Sequence, residues 1–66
     1  MNVLINGVPH DLPADATVRR AVQELTSAVA GVAVAVNDEV VRRGAWDSTP
    51  LSEHDRVEVL TAVQGG

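Results

Sequence analysis

None of the chain's 66 residues is cysteine, and at this length that absence constrains the fold more than any other feature. A domain of about 60 residues buries only about 60% of the surface its unfolded chain exposes. Natural scaffolds of this size often add disulfides or a thiolate metal site to compensate. Neither device is open to this sequence, so one apolar core must hold it together. The material for a core is present. Hydrophobic residues make up 45% of the chain, and thirteen of them are valine, whose branching at Cβ suits a pleated strand. The length allows a single domain.

Charge and aromatic content then remove whole classes of function. All five cationic side chains are arginine, against nine acids, for a net charge of −4. A phosphate-backbone binder needs a basic face that this balance does not supply. Trp46 is the one aromatic residue, so no stacking platform for bases can be built. Nucleic acid is therefore not an expected partner. The longest apolar run, Ala28 to Val36, is interrupted by Gly31 and is well short of the roughly 20 residues of a membrane span. No charged start followed by an apolar stretch and a cleavage site is seen, which makes the cytoplasm the expected location.

Hydropathy patterning gives the elements. Asn2 to Ile5 reads as a strand ending at Asn6-Gly7, a strong two-residue hairpin signal because both turn positions need positive φ. The return strand runs from Val8 to Leu12. Pro9 within it cannot donate to a ladder, which puts this strand at a sheet edge. Asp15 and Thr17 can both cap a helix. From Val18 the pattern becomes helical, with Val18, Ala21, Val22 and Leu25 on one stripe, joined by Val29 if the helix runs on, and Gly31 as a natural terminator. Val32 to Val36 alternates valine with alanine, and the bulkier valines are assigned to the core. Asn37-Asp38-Glu39 turns the chain into Val40 to Arg43. An irregular excursion from Gly44 to Asp55 carries Trp46, which is expected over one end of the core with its indole N–H on solvent or a carbonyl. The last strand is Arg56 to Val63.

One helix on a mixed sheet is the economical arrangement of these pieces, with the first strand parallel beside the last. The expected fold class is α+β, a β-grasp or ubiquitin-like domain over residues 1–63. Its sheet has four to five strands with the main helix on one face, and residues 64–66 form a flexible tail. Strand parity sends Val3, Ile5, Val57 and Val59 inward, and Leu4, Glu58 and Leu60 outward. If first and last strands are neighbours, Leu4, Leu60 and Ala62, with Ala33 or Ala35, share the uncovered face. A contiguous apolar patch there reads either as a partner surface or as ordinary scattered surface apolars. Arg42 and Arg43 read either as meeting an acidic rim on a partner or, the favoured reading, as guarding a strand edge against unwanted pairing.

The remaining side chains offer no catalytic constellation. His10 and His54 are far apart and lack ligand-spaced companions, so no metal is expected. Ser48, Ser52 and His54 form no recognisable nucleophile arrangement, and Asp38-Glu39 reads as a solvated turn. The chemistry points instead to Gln64-Gly65-Gly66. A frayed end is the plain reading. Paired glycines after an apolar strand also suit a narrow channel, because residues without Cβ adopt whatever dihedrals it imposes. A terminal carboxylate is anionic at neutral pH and must be converted to an electrophile, such as an acyl-adenylate, before acyl chemistry. The chain has no phosphate-cradling glycine loop and no lysine, so ATP would be handled by another protein.

The opening Asn2-Val3-Leu4-Ile5-Asn6-Gly7, the middle stretch Val34 to Arg43 with Trp46 after it, and the ending His54 to Gly66 resemble the ThiS family of thiamine-biosynthesis sulfur carriers. The resemblance implies a non-enzymatic carrier whose Gly66 carboxylate is adenylated by an E1-like, ThiF-like partner. It also implies conversion to a thiocarboxylate with sulfur from a cysteine desulfurase persulfide. The sulfur would then pass to a ThiG-like thiazole synthase. On that reading Gly66 carries the chemistry, Gly65 grants access, and Leu4, Leu60, Ala62 and Gln64 meet the partner. No cofactor is bound, ATP being used by the activating partner. The alternatives are the small subunit of molybdopterin synthase, which shares fold and diglycine, a ubiquitin-like modifier, and a plain protein-binding module with an inert tail.

Overall fold

A computed structural model describes residues 1–27 and 31–61. In chain order the elements are β1 (Asn2–Ile5), β2 (Val8–Asp11), α1 (Val18–Leu25), β3 (Val32–Val36), β4 (Glu39–Val41), a 3-10 helix (Arg43–Ser48) and β5 (Arg56–Thr61). The five strands form one sheet in the order β2-β1-β5-β3-β4. β5 lies at its centre, parallel to β1 and antiparallel to β3. This is the expected mixed sheet with one main helix, and Pro9 is on the edge strand β2.

Both hairpins turn on residues that tolerate the left-handed region. Asn6 and Gly7 have φ of 51° and 81°, and Asn37 and Asp38 have 49° and 72°. Asparagine visits this region more cheaply than most residues because its short side chain bonds locally. Each tight turn sets the register of its hairpin. Ile5 therefore faces Val8, and Val36 faces Glu39.

The core is apolar throughout, with no buried polar residue among those described. Val3 and Ile5 from β1, Val34 from β3, and Val57 and Val59 from β5 meet Val18, Ala21 and Val22 of the helix. Trp46 is completely buried among them, and its Nε1–H donates to the Val41 carbonyl at 2.9 Å. Expectation had placed it at one end of the core. Full enclosure makes it the largest buried side chain of the domain, and the carbonyl satisfies the indole donor that burial would otherwise strand.

Three local readings need correction. The helix stops at Leu25 rather than reaching Gly31. Thr26 is already extended, with φ −155° and ψ 150°, and its N–H closes onto the Val22 carbonyl. A β-branched Thr followed by Ser favours leaving the helix, since both hydroxyl side chains compete for backbone partners. Leu25, at that last position, is exposed rather than part of the buried stripe, and Val29 lies outside the described residues. Thr17 occupies the N-cap position but makes no side-chain cap. The chain itself does the work, because Val18 N–H donates to the Thr49 carbonyl at 3.0 Å. β4 covers Glu39–Val41, since Arg43 opens the 3-10 helix that carries Trp46 inward.

Candidate functional site

Strand β5 organises the face opposite the helix. Val57 and Val59 point into the core while Arg56, Glu58 and Leu60 point out, the parity its alternation predicts. β5 is held on both sides. On the β1 side, Leu4 N–H donates to the Asp55 carbonyl and Asn6 N–H to the Val57 carbonyl, both at 2.9 Å. The Asn6 side chain then continues the ladder beyond the turn. Its Nδ2 donates to the Val59 carbonyl at 3.1 Å and its Oδ1 accepts from Val59 N–H at 2.8 Å. Asn37 acts similarly at the start of β5, where its Oδ1 accepts from Arg56 N–H and its N–H donates to the Arg56 carbonyl.

The open face carries two shallow depressions. Asn6, Ala33, Ala35, Val40, Glu58 and Leu60 line one. Leu4, Gly7, Asp38, Arg56 and Glu58 line the other. Leu60 is 70% exposed and Val40 83% exposed, values at which water covers most of each side chain. Leu60 stands opposite Ala33, and Ala35 stands between Glu58 and Val40 across the strands. Small alanines between larger neighbours make the hollow.

The predicted docking residues are thus distributed rather than merged. Leu4 pairs with Arg56 at the start of β5, whereas Leu60 is near its end, so each contributes to a different depression. Glu58 lines both. Ala62, Gln64, Gly65 and Gly66 lie outside the described residues. Val40 and Asn6 were not anticipated at this face. Val40 was legible in principle, because the tight Asn37-Asp38 turn pairs Val36 with Glu39 and hence Ala35 with Val40. Asn6 carried only a turn signal.

Candidate metal and nucleophile residues do not converge. His10 Nδ1 is 3.7 Å from Glu24 Oε1, and His54 Nε2 is 3.5 Å from Glu53 Oε2. Among the described residues no group of three or more His, Asp or Glu is placed to hold a metal ion. Ser48 donates its hydroxyl to the Ala45 carbonyl. No helix of the described residues is long and apolar enough to cross a membrane.

Comparison with known proteins adds to this geometry. The model of the ThiS family matches residues 3–66. The chain is similar over its full length to the sulfur carrier protein ThiS of Escherichia coli, at 27% identity and covering all of that protein. It is 36% identical over 66 residues to a thiazole synthase of Magnetococcus marinus. Of that longer protein the chain spans 20%. Among solved structures, the crystal structure of the thiamine biosynthesis protein ThiS from Geobacter metallireducens superposes with a TM-score of 0.77 at 35% identity, each chain fully covered. The solution structure of a thiamine biosynthesis protein from the same organism gives 0.79 at 36% identity, with all of this chain and 88% of that one covered.

Proposed function

The chain belongs to the ThiS family, and from that premise we propose that it is the sulfur carrier for thiazole formation in thiamine biosynthesis. The observation that carries this reading is the extent of the family match, which runs from β1 through the diglycine to Gly66. Full-length similarity to the Escherichia coli sulfur carrier supports it. So does the five-strand sheet, shared as an overall fold with the Geobacter metallireducens protein.

In the proposed cycle the Gly66 carboxylate attacks the α-phosphate of ATP on an E1-like partner, releasing pyrophosphate and giving an acyl-adenylate. A cysteine persulfide, supplied by a desulfurase, displaces AMP through its terminal sulfur. Cleavage of the remaining S–S bond by a thiol leaves that sulfur on the glycine carbonyl as a thiocarboxylate. Gly65 lets the chain thread a confined site, because a residue without Cβ can follow dihedrals that others resist. The folded domain's contacts offset the entropy of ordering that segment. The chain itself is a co-substrate, acted on by its partners. With no cysteine in the sequence, no side-chain thiolate competes as the sulfur's attachment point. ATP and reduced thiols are both supplied in the cytoplasm, which is where this chemistry belongs.

The acceptor in this reading is a thiazole synthase. A segment similar to this whole chain occurs within the thiazole synthase of Magnetococcus marinus, and covalent linkage of a carrier to its consumer raises their effective concentration. The exposed depressions around Leu60 and Leu4 are the proposed contact surface, and Ala62 and Gln64 would extend it toward the diglycine.

Intact-protein mass spectrometry tests the cycle. After incubation with ATP, a ThiF-like enzyme and a persulfide donor, the chain should gain the mass of one sulfur in place of one oxygen. Removal of Gly66 should abolish the gain. Absence of the thiocarboxylate under conditions in which a ThiS relative reacts fully would rule the reading out.

A further inference from the structure

The feature of the open face that the proposed function leaves unused is Glu58. It points outward from the central strand and borders both depressions. It is exposed, and among the described residues no ion pair or hydrogen bond reaches its carboxylate. The neighbours explain why. Ala35 stands across from it on β3. On the β1 side, the Asn6 carboxamide is committed to the Val59 backbone. Two residues earlier on its own strand, Arg56 directs its guanidinium to Asp38, with Nη2 3.5 Å from Oδ2. Two residues later comes Leu60. The sheet therefore presents a bare anion between an apolar hollow beside Leu60 and Val40 and a second one where Leu4 meets the Arg56–Asp38 pair.

Such a carboxylate is unremarkable while water covers it. Once a partner covers Leu60 and Val40, the same water is lost. An unpaired buried charge is then strongly unfavourable. A surface that binds here must bring a cation, or else leave this part of the face wet. We propose that the thiazole synthase places a basic side chain, arginine or lysine, against Glu58, with an apolar side chain entering the hollow beside Leu60 and Val40. This inference rests on the sulfur-carrier reading for the identity of its partner. Arginine is the better match, since its planar fork can meet both carboxylate oxygens. Charge at this position also selects partners, because an acidic or wholly apolar surface is rejected there. The net charge of −4 favours encounter with a basic surface in the same sense.

Titration calorimetry of the full chain against the purified thiazole synthase of the same organism, at low and high salt, tests this contact. Glu58→Arg should weaken binding on the order of tenfold or more, as removal of one member of a desolvated charge pair does. Glu58→Gln, which keeps the shape, should weaken binding and flatten its salt dependence. Thermal unfolding of both variants should match the parent, since Glu58 supports no internal contact. If Glu58→Gln binds as tightly as the parent with the same salt slope, the proposed contact is overturned. That outcome leaves the sulfur-carrier reading standing. Failure of the parent chain to bind the synthase or to acquire a thiocarboxylate would overturn both, so the two failures are distinguishable.

Discussion

The carboxamide of Asn6 lies against the backbone of Val59, giving one hydrogen bond and accepting another. A turn residue thereby extends the parallel β1–β5 pairing past the point where β1 ends. Parallel strands cannot be joined by a tight turn and depend on distant parts of the chain, and these two bonds span 53 residues of sequence. Asn6→Ala removes both bonds and also puts an ordinary side chain at φ 51°. With about 1 kcal/mol for each bond and about 1 kcal/mol for left-handed backbone, the expected loss is about 2–3 kcal/mol. Asn6→Gly removes the bonds but keeps the turn, and should cost less. Urea unfolding checks both contributions: an Asn6→Gly variant as stable as the parent would mean that the carboxamide contributes nothing beyond the turn, and equal losses for the two variants would mean that the left-handed backbone adds no cost of its own.

Trp46 offers a second measurement. As the only tryptophan, fully buried and bonded to the Val41 carbonyl, it should emit at short wavelength in the native state and shift to the red on unfolding. Trp46→Phe loses the indole donor and part of the packing, for an expected cost of about 1–3 kcal/mol. Trp46→Ala should cost about 3–5 kcal/mol, comparable with the whole stability of a domain this small, and should leave the chain largely unfolded at room temperature. Circular dichroism decides this. A native spectrum and a cooperative transition for Trp46→Ala would show that the core closes without the indole.

Strand identities, the two turns and the inward valines were all legible, because each follows from a period of two and from residues that accept positive φ. Length set the limits of that reading. The apolar stripe from Val18 continues in sequence to Leu25 and Val29, but periodicity alone does not register that Thr26 has left the helix. Trp46 was expected near the core, yet its complete burial depends on the 3-10 helix, which has no apolar period of its own. The open face was harder still. Outward parity for Leu4 and Leu60 was correct, but parity does not give register along a strand. Pairing of Leu4 with Arg56 is what separates the two leucines. Glu58 and Val40 matter through their neighbours across the sheet, which no window of consecutive residues contains.

Pro9 predicts behaviour at the other side of the sheet. It pairs with Leu4 on the outermost strand, at the position flanking the pair next to the tight turn. There the residue's nitrogen faces away from β1, since bonded and non-bonded pairs alternate along an antiparallel ladder. Its missing N–H therefore costs the sheet nothing and denies a donor to any approaching strand. Pro9→Thr should lower stability by no more than about 1 kcal/mol, chiefly through a more flexible unfolded chain. It should also increase self-association at high concentration. Sedimentation velocity over a range of concentrations is the appropriate test, and a variant no more associated than its parent would remove the guarding role.

Leu60 and Val40 should separate docking from folding. Both are largely exposed, so Leu60→Glu and Val40→Glu should change stability by no more than about 0.5 kcal/mol. If the hollow between them receives an apolar anchor from the thiazole synthase, each substitution should weaken binding by about tenfold or more, because anchors seated in pockets supply most of the energy of such interfaces. Leu4→Glu probes the neighbouring hollow independently. Loss at Leu60 and Val40 with none at Leu4 would confine the contact to the β3–β4–β5 side. Comparable losses at all three would mean that the partner straddles Glu58. Variants that bind as the parent does would exclude this face, and the search for the docking surface would move to the helix side, where Arg19 lies over Trp46 at 5.7 Å from the ring centre and pairs with Asp47.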